Sequence, residues 1–129
     1  MRRRFVQIVD KAELERALAD IIDWGYPREL VEGELEHSVF LGFGPDLIFW
    51  LNNHGTGLNW HLVIDPKSRG RFSAEEVDRY FHGIETIAEL LGADHLQAIL
   101  RPEWGRLRNY CARRGWREND EGYIRLLED

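Results

Sequence analysis

The chain has one cysteine, Cys111, in 129 residues. An intramolecular disulfide is therefore excluded, and a reducing, cytoplasmic setting is the expectation. No apolar run approaches the ~20 residues of a membrane-spanning helix. The five histidines show neither His-x-His nor His-x-x-x-His spacing, so no metal is expected. Positive charge is in the minority: 17 Lys and Arg against 23 Asp and Glu leave a net −6. That balance argues against general nucleic-acid binding. Internal repeats, low-complexity tracts and linkers are absent. Met1-Arg2-Arg3-Arg4-Phe5 is charged but has no long apolar segment behind it, so a secretory signal is not expected.

What is present is apolar and aromatic. Hydrophobic residues make up 43% and there are five tryptophans, which excludes a disordered chain. The length is that of one domain, residues 1–129, able to bury a core without staples. Arg4 to Val9 reads as a strand. Asp10 with Glu13 has capping-box spacing, and Leu14, Ala17, Leu18, Ile21 and Ile22 form the stripe of the helix that follows. Gly25 and Pro27 end it, and Arg28 to Glu36 is expected to form a short second helix. Two strands, 38–43 and 47–51, flank the turn Gly44-Pro45-Asp46, and a turn over 52–57 leads into a third.

That third strand opens the most informative stretch. In Leu58-Asn59-Trp60-His61-Leu62-Val63-Ile64 apolar residues hold the even positions, the period of a half-buried strand. Asp65-Pro66-Lys67-Ser68-Arg69-Gly70-Arg71 then breaks the chain and gathers three positive charges. Ser73-Ala74-Glu75-Glu76 has capping-box spacing, which predicts a helix from Ser73 to Leu91 with Val77, Phe81, Ile84 and Ala88 inward. A helix start exposes unpaired N–H groups that suit an anion such as phosphate. Leu96 to Leu100 reads as an internal strand, Trp104 to Arg114 as a last helix, and 116–121 and 122–127 as a closing pair of strands. The class is mixed α/β, with a twisted, largely antiparallel sheet flanked by helices.

Several side chains have chemistry to offer. Arg69, Gly70 and Arg71 suit a phosphate, since guanidinium groups pair with its oxygens; an ordinary solvated turn is the alternative. His61 shares a strand face with Asn59 and Val63 and is either a general base or a hydrogen-bonded structural histidine. Glu103 is either a carboxylate at a site mouth or a solvated first-turn residue. Cys111 is either an exposed, reactive thiol or a small buried hydrophobe. The arginines between 101 and 117 form either a contact for an acidic partner or a solvated helix face. Trp50, Trp60, Trp104 and Trp116 are expected in the core.

The element order resembles that of the GNAT family, the acyl-CoA-dependent N-acetyltransferases, over nearly the whole chain. Val63-Ile64-Asp65-Pro66-Lys67-Ser68-Arg69-Gly70-Arg71 is similar to the end of that family's fourth strand and the start of its pyrophosphate loop. Cys111-Ala112-Arg113-Arg114-Gly115-Trp116 resembles the helix that ends in Gly-Phe, and Glu121-Gly122-Tyr123-Ile124-Arg125-Leu126 its last strand. The resemblance implies a GNAT-like fold and an N-acyltransferase that takes acetyl-CoA and acylates a small-molecule or peptide amine. Backbone groups of Val63 and Ile64 would align the pantetheine arm. The loop Arg69-Gly70-Arg71-Phe72-Ser73-Ala74 would hold the pyrophosphate. His61 or Glu103 would deprotonate the amine, and Cys111, or a water, would protonate the leaving thiolate. The chain departs from the family pattern at three places. Phe72 stands where the loop has a glycine, Cys111 where many members have a tyrosine, and Trp104 where many have an asparagine. Those departures leave a second expectation, a catalytically degenerate GNAT-fold binding or structural module. Trp104-Gly105-Arg106-Leu107 resembles short phage-encoded members, for which a virion location would apply. No membrane or nucleic-acid partner is expected; a homodimer or a protein partner stays open.

Overall fold

The computed structural model describes residues 2–100, 102 and 104–127. The elements are β1 (Phe5–Ile8), α1 (Lys11–Asp23), α2 (Arg28–Glu32), β2 (Val39–Phe43), β3 (Leu47–His54), β4 (Gly57–Ile64), α3 (Ala74–Leu90), β5 (His95–Ile99), α4 (Gly105–Arg113), β6 (Arg117–Asn119) and β7 (Gly122–Leu126). Single 3-10 turns lie at Leu35–His37 and Pro66–Ser68. The seven strands form one mixed sheet in the order β1-β2-β3-β4-β5-β7-β6. Every pairing is antiparallel except β4 with β5.

Side chains of a strand alternate between faces, and here both faces are covered. On one face Leu41, Phe49, Leu51, Trp60 and Leu62 pack with Tyr80, Phe81, Ile84 and Ala88 of α3 and Cys111 of α4. On the other, Phe40, Ile48, Trp50 and Val63 pack with Ala17 and Ile21 of α1 and Val31 of α2. Double coverage explains why Leu47 to Leu51 is an unbroken buried run with no polar alternation.

Helix starts follow their side chains. Ser73 accepts from the Glu76 N–H and Glu76 accepts from the Ser73 N–H, completing the expected capping box of α3. At α1, by contrast, Asp10 accepts from the Ala12 N–H, one residue short of the box expected with Glu13. The helix expected over 28–36 stops at Glu32, with Gly33 as its cap, and continues only as a 3-10 turn. The turn expected over 52–57 shrinks to Gly55-Thr56, because Asn52 and Asn53 pair with Asn59 and Leu58 and extend both strands. The closing strands are also shorter than the sequence implied, at 117–119 and 122–126.

The functional consequence lies at the parallel pair. β5 follows β4 through α3 and pairs with it only over Leu58↔Leu96, Asn59↔Gln97 and Trp60↔Ala98. β4 continues to Ile64, paired with β3 throughout, while no β5 residue pairs with it beyond Trp60. The two strands therefore part at mid-sheet.

Candidate functional site

Backbone N–H and C=O groups alternate sides along a strand, so the stretch 61–64 turns some of its peptide groups toward the gap. A cavity of about 400 Å³ opens there, within the usual size of a small-ligand pocket. Its walls come from the end of β4 (Leu62, Val63, Ile64), from Val77, Tyr80 and Phe81 of α3, and from Leu107 and Tyr110 of α4. Trp104, Arg69, Gly70, Phe72 and Arg106 also line it. The lining is mainly apolar, and its cations stand on the loop after β4 and at the start of α4.

Of the residues singled out from the sequence, Val63, Ile64, Arg69, Gly70 and Phe72 are brought together in this cavity; Arg71, Ser73 and Ala74 do not line it. Arg69 is largely committed within the fold. Its guanidinium donates to the carbonyls of Trp24 at 2.9 Å and Ile64 at 3.3 Å, tying the end of α1 to the end of β4. Gly70 adopts φ +78°, and a Cβ there would lie 2.3 Å from Nη1 of Arg106. The glycine thus lets that guanidinium close over the loop. Much of the late arginine cluster is paired: Arg108 with Glu118 and the Leu100 carbonyl, Arg114 with Asp78 and Glu85. Arg101 and Glu103 lie outside the described residues.

His61 sits on the opposite side of the sheet, only 7% exposed. Its ring stacks on Trp50 with centroids 5.5 Å apart. Nδ1 is 3.2 Å from the Tyr26 hydroxyl and Nε2 is 3.3 Å from Oε2 of Glu34. The same carboxylate oxygen accepts from Nε1 of Trp50 at 2.6 Å and from Nδ2 of Asn52 at 3.1 Å. Burial lowers the His61 pKa while the Glu34 charge raises it, and burial dominates. The imidazole is thus neutral at neutral pH, the state a base requires, and both of its nitrogens already have partners.

Cys111 is fully buried in the α3-side core, away from the cavity wall. Burial pushes its thiol up to about 12, against the opposing pull of Arg108 and Arg114. The neighbouring Tyr110 lines the cavity instead. A one-residue step turns a helix by about 100°. That step separates the residue at the motif's spacing from the residue facing the cavity. Tyr80 also reaches the cavity, with its hydroxyl accepting from Nε1 of Trp60 at 2.7 Å. Burial raises its pKa well above the ordinary value, so it remains a neutral phenol.

Against Phe72, a wall residue of the cavity, stands a group that the sequence reading passed over. Arg3 pairs with Asp46 and, at 2.7 Å, with Glu76, and its guanidinium lies 4.1 Å above the Phe72 ring. Those hydrogen bonds raise the Arg3 pKa and lower that of Asp46. Glu76 is also held low, first by the Ser73 N–H. Arg3 is distant in sequence from all of these partners, so no local pattern signals it. Glu34 and Tyr26 were missed for a similar reason, because only the tertiary fold brings them to the site. The sequence places Tyr110 about a quarter-turn away from the motif position, and it is the residue that faces the cavity.

No family model matches the chain, and no curated protein matches it.

Proposed function

We propose that the chain is an N-acyltransferase that takes its acyl group from a pantetheine thioester, with acetyl-CoA the first donor to test. The observation that carries this reading is the cavity against the end of β4, beyond its last pair with β5, where an apolar lining meets the strand edge and a cationic rim. The element order, with one parallel pair inside an otherwise antiparallel sheet, supports a GNAT-like fold.

In this reading the Leu62 peptide groups and the Ile64 N–H, on the edge of β4 that faces away from β3, hydrogen-bond the amides of the arm and fix its thioester against Tyr110. The Val63 peptide groups face β3 instead. The acceptor amine attacks the thioester carbonyl, the C–N bond forms and the C–S bond breaks. The amine proton passes to the Tyr26–His61 pair, with Glu34 stabilising the imidazolium that results. Glu103 is the alternative base. The departing thiolate takes its proton from the Tyr110 hydroxyl, a role the buried Cys111 is badly placed to fill. Rate comes mainly from holding the two reactants in line.

Calorimetric titration with acetyl-CoA, with desulfo-CoA as a control, tests the reading. Micromolar binding that Val77→Trp abolishes supports it; Tyr110→Phe then keeps the binding and slows thiol release to an amine. No binding up to millimolar concentration sinks it. The second reading, a catalytically idle GNAT-shaped module, would take its place; the Glu76 carboxylate on the Ser73 N–H favours it.

A further inference from the structure

The two ends of the cavity differ in what they can hold. The inner end suits the apolar arm. The outer end should suit a diphosphate if CoA is the natural donor, and the residues there do not fit one. At the start of α3, the Ser73 N–H is already taken by Oε1 of Glu76 at 2.9 Å, and the Glu76 N–H by the Ser73 hydroxyl at 3.1 Å. A carboxylate therefore sits where a diphosphate would have to come, with Glu75 beside it in the first turn. Like charges at that distance repel an incoming anion, and the helix dipole is already answered by the protein's own carboxylates.

Phe72 lines the cavity immediately before this turn, and its ring is pinned beneath Arg3. Arg3 is itself held by Asp46 and Glu76. Arg69 points its guanidinium at two backbone carbonyls. One cation on the cavity wall differs: Arg106, over Gly70, has no carboxylate partner among the described residues. A single guanidinium suits a single phosphate, with two parallel hydrogen bonds.

We infer that this site takes a pantetheine arm ending in one phosphate, read by Arg106, and gains nothing from the rest of a coenzyme A molecule. The proposal rests on the acyltransferase reading and refines its donor. Such an arm comes from two sources, free phosphopantetheine thioesters or a phosphopantetheine arm borne on a carrier-protein serine.

The test is calorimetric titration of the intact chain with free phosphopantetheine, with CoA, and with an acyl carrier protein in its arm-bearing and bare forms. Free phosphopantetheine is expected to bind within about threefold of CoA, and Arg106→Ala to weaken both by about tenfold, the loss of one charge-assisted contact. Glu76→Ala, which vacates the Ser73 N–H, is expected to strengthen CoA by about fivefold or more and leave phosphopantetheine unchanged. If CoA binds the unaltered chain about tenfold or more tighter than phosphopantetheine, the inference falls and the acyltransferase reading stands. If neither binds, both fall. Tighter binding of the arm-bearing carrier than of free phosphopantetheine assigns the donor to a protein; equal or weaker binding assigns it to the free thioester. Should Glu76→Ala fail to fold, the comparison of the two ligands on the unaltered chain still decides.

Discussion

His61 shows how one buried side chain ties the candidate site to stability. Its folded pKa is lowered, so the unfolded chain, with an imidazole near pKa ~6.5, takes up the proton first as pH falls. The stability that the neutral ring contributes is therefore complete above the unfolded value and is lost as pH drops toward the lower folded one. Urea midpoints are expected to fall from about pH 7 to about pH 5, and His61→Phe, which keeps a ring against Trp50, should flatten that slope. Glu34→Gln removes the charge that raises the folded pKa, so the acid loss should become steeper in that variant. A shallower slope in Glu34→Gln would show that the carboxylate does not act on the ring as the 3.3 Å contact implies. Cys111 gives a second residue-level test. A buried thiol pushed up to about 12 has almost no thiolate at neutral pH. A disulfide-exchange reagent should leave the folded protein unlabelled and titrate one thiol after urea unfolding. Rapid labelling of the native chain would contradict the burial.

At the scale of elements, the end of the sheet is held by an amide pair. Gln97 of β5 is fully buried, and its amide exchanges hydrogen bonds with Asn119 of β6 at 2.7 and 3.0 Å. Asn119 also accepts from the N–H groups of Glu121 and Gly122, forming the turn into β7. Gly122 has φ +147°, and a Cβ there would lie 2.3 Å from the Ala98 carbonyl oxygen. Asn119→Ala should cost about 1–3 kcal/mol, the penalty of leaving a buried polar group short of a partner. Chemical denaturation measures it, and the double variant Gln97→Leu/Asn119→Leu should lose less than the sum of the two single changes. Elements with a local signature were legible in the sequence. The capping box and apolar stripe announced α3, and a short, mostly apolar run announced β5. What depended on long-range pairing was not legible. Asn52 and Asn53 are poor strand formers, yet β4 holds them in β3, and the Gln97–Asn119 pair spans 22 residues. The candidate site divides in the same way. The loop after β4 was readable from its charge and glycine, whereas which of Tyr110 and Cys111 faces the cavity depended on how α4 rotates against the sheet. Glu34 and Arg3 were invisible because their partners lie far along the chain.

For the whole molecule, the question is whether the two faces of the sheet unfold together. The α3-side core contains Trp60 and Trp116; the α1-side core contains Trp24 and Trp50. They share β2, β3 and β4, whose alternate side chains enter one core and then the other, so neither layer can lose its packing without exposing the back of the other. Arg69 adds a direct tie from the end of α1 to the end of β4. A chain of this length with one sheet between two cores should melt in a single step. Far-ultraviolet dichroism and tryptophan fluorescence are then expected to give one midpoint. Ile21→Ala, in the α1-side core, and Ile84→Ala, in the α3-side core, should each lower both signals together, by about 2–5 kcal/mol. Fluorescence that changes ahead of dichroism in Ile21→Ala alone would mean that α1 and α2 detach as a separate unit. In that case the His61–Glu34 cluster would open before the cavity does, and the two halves of the candidate site would have independent stabilities. A shared midpoint means that the His61–Glu34 cluster and the cavity are set by one folding equilibrium, so a change that loosens either core weakens both.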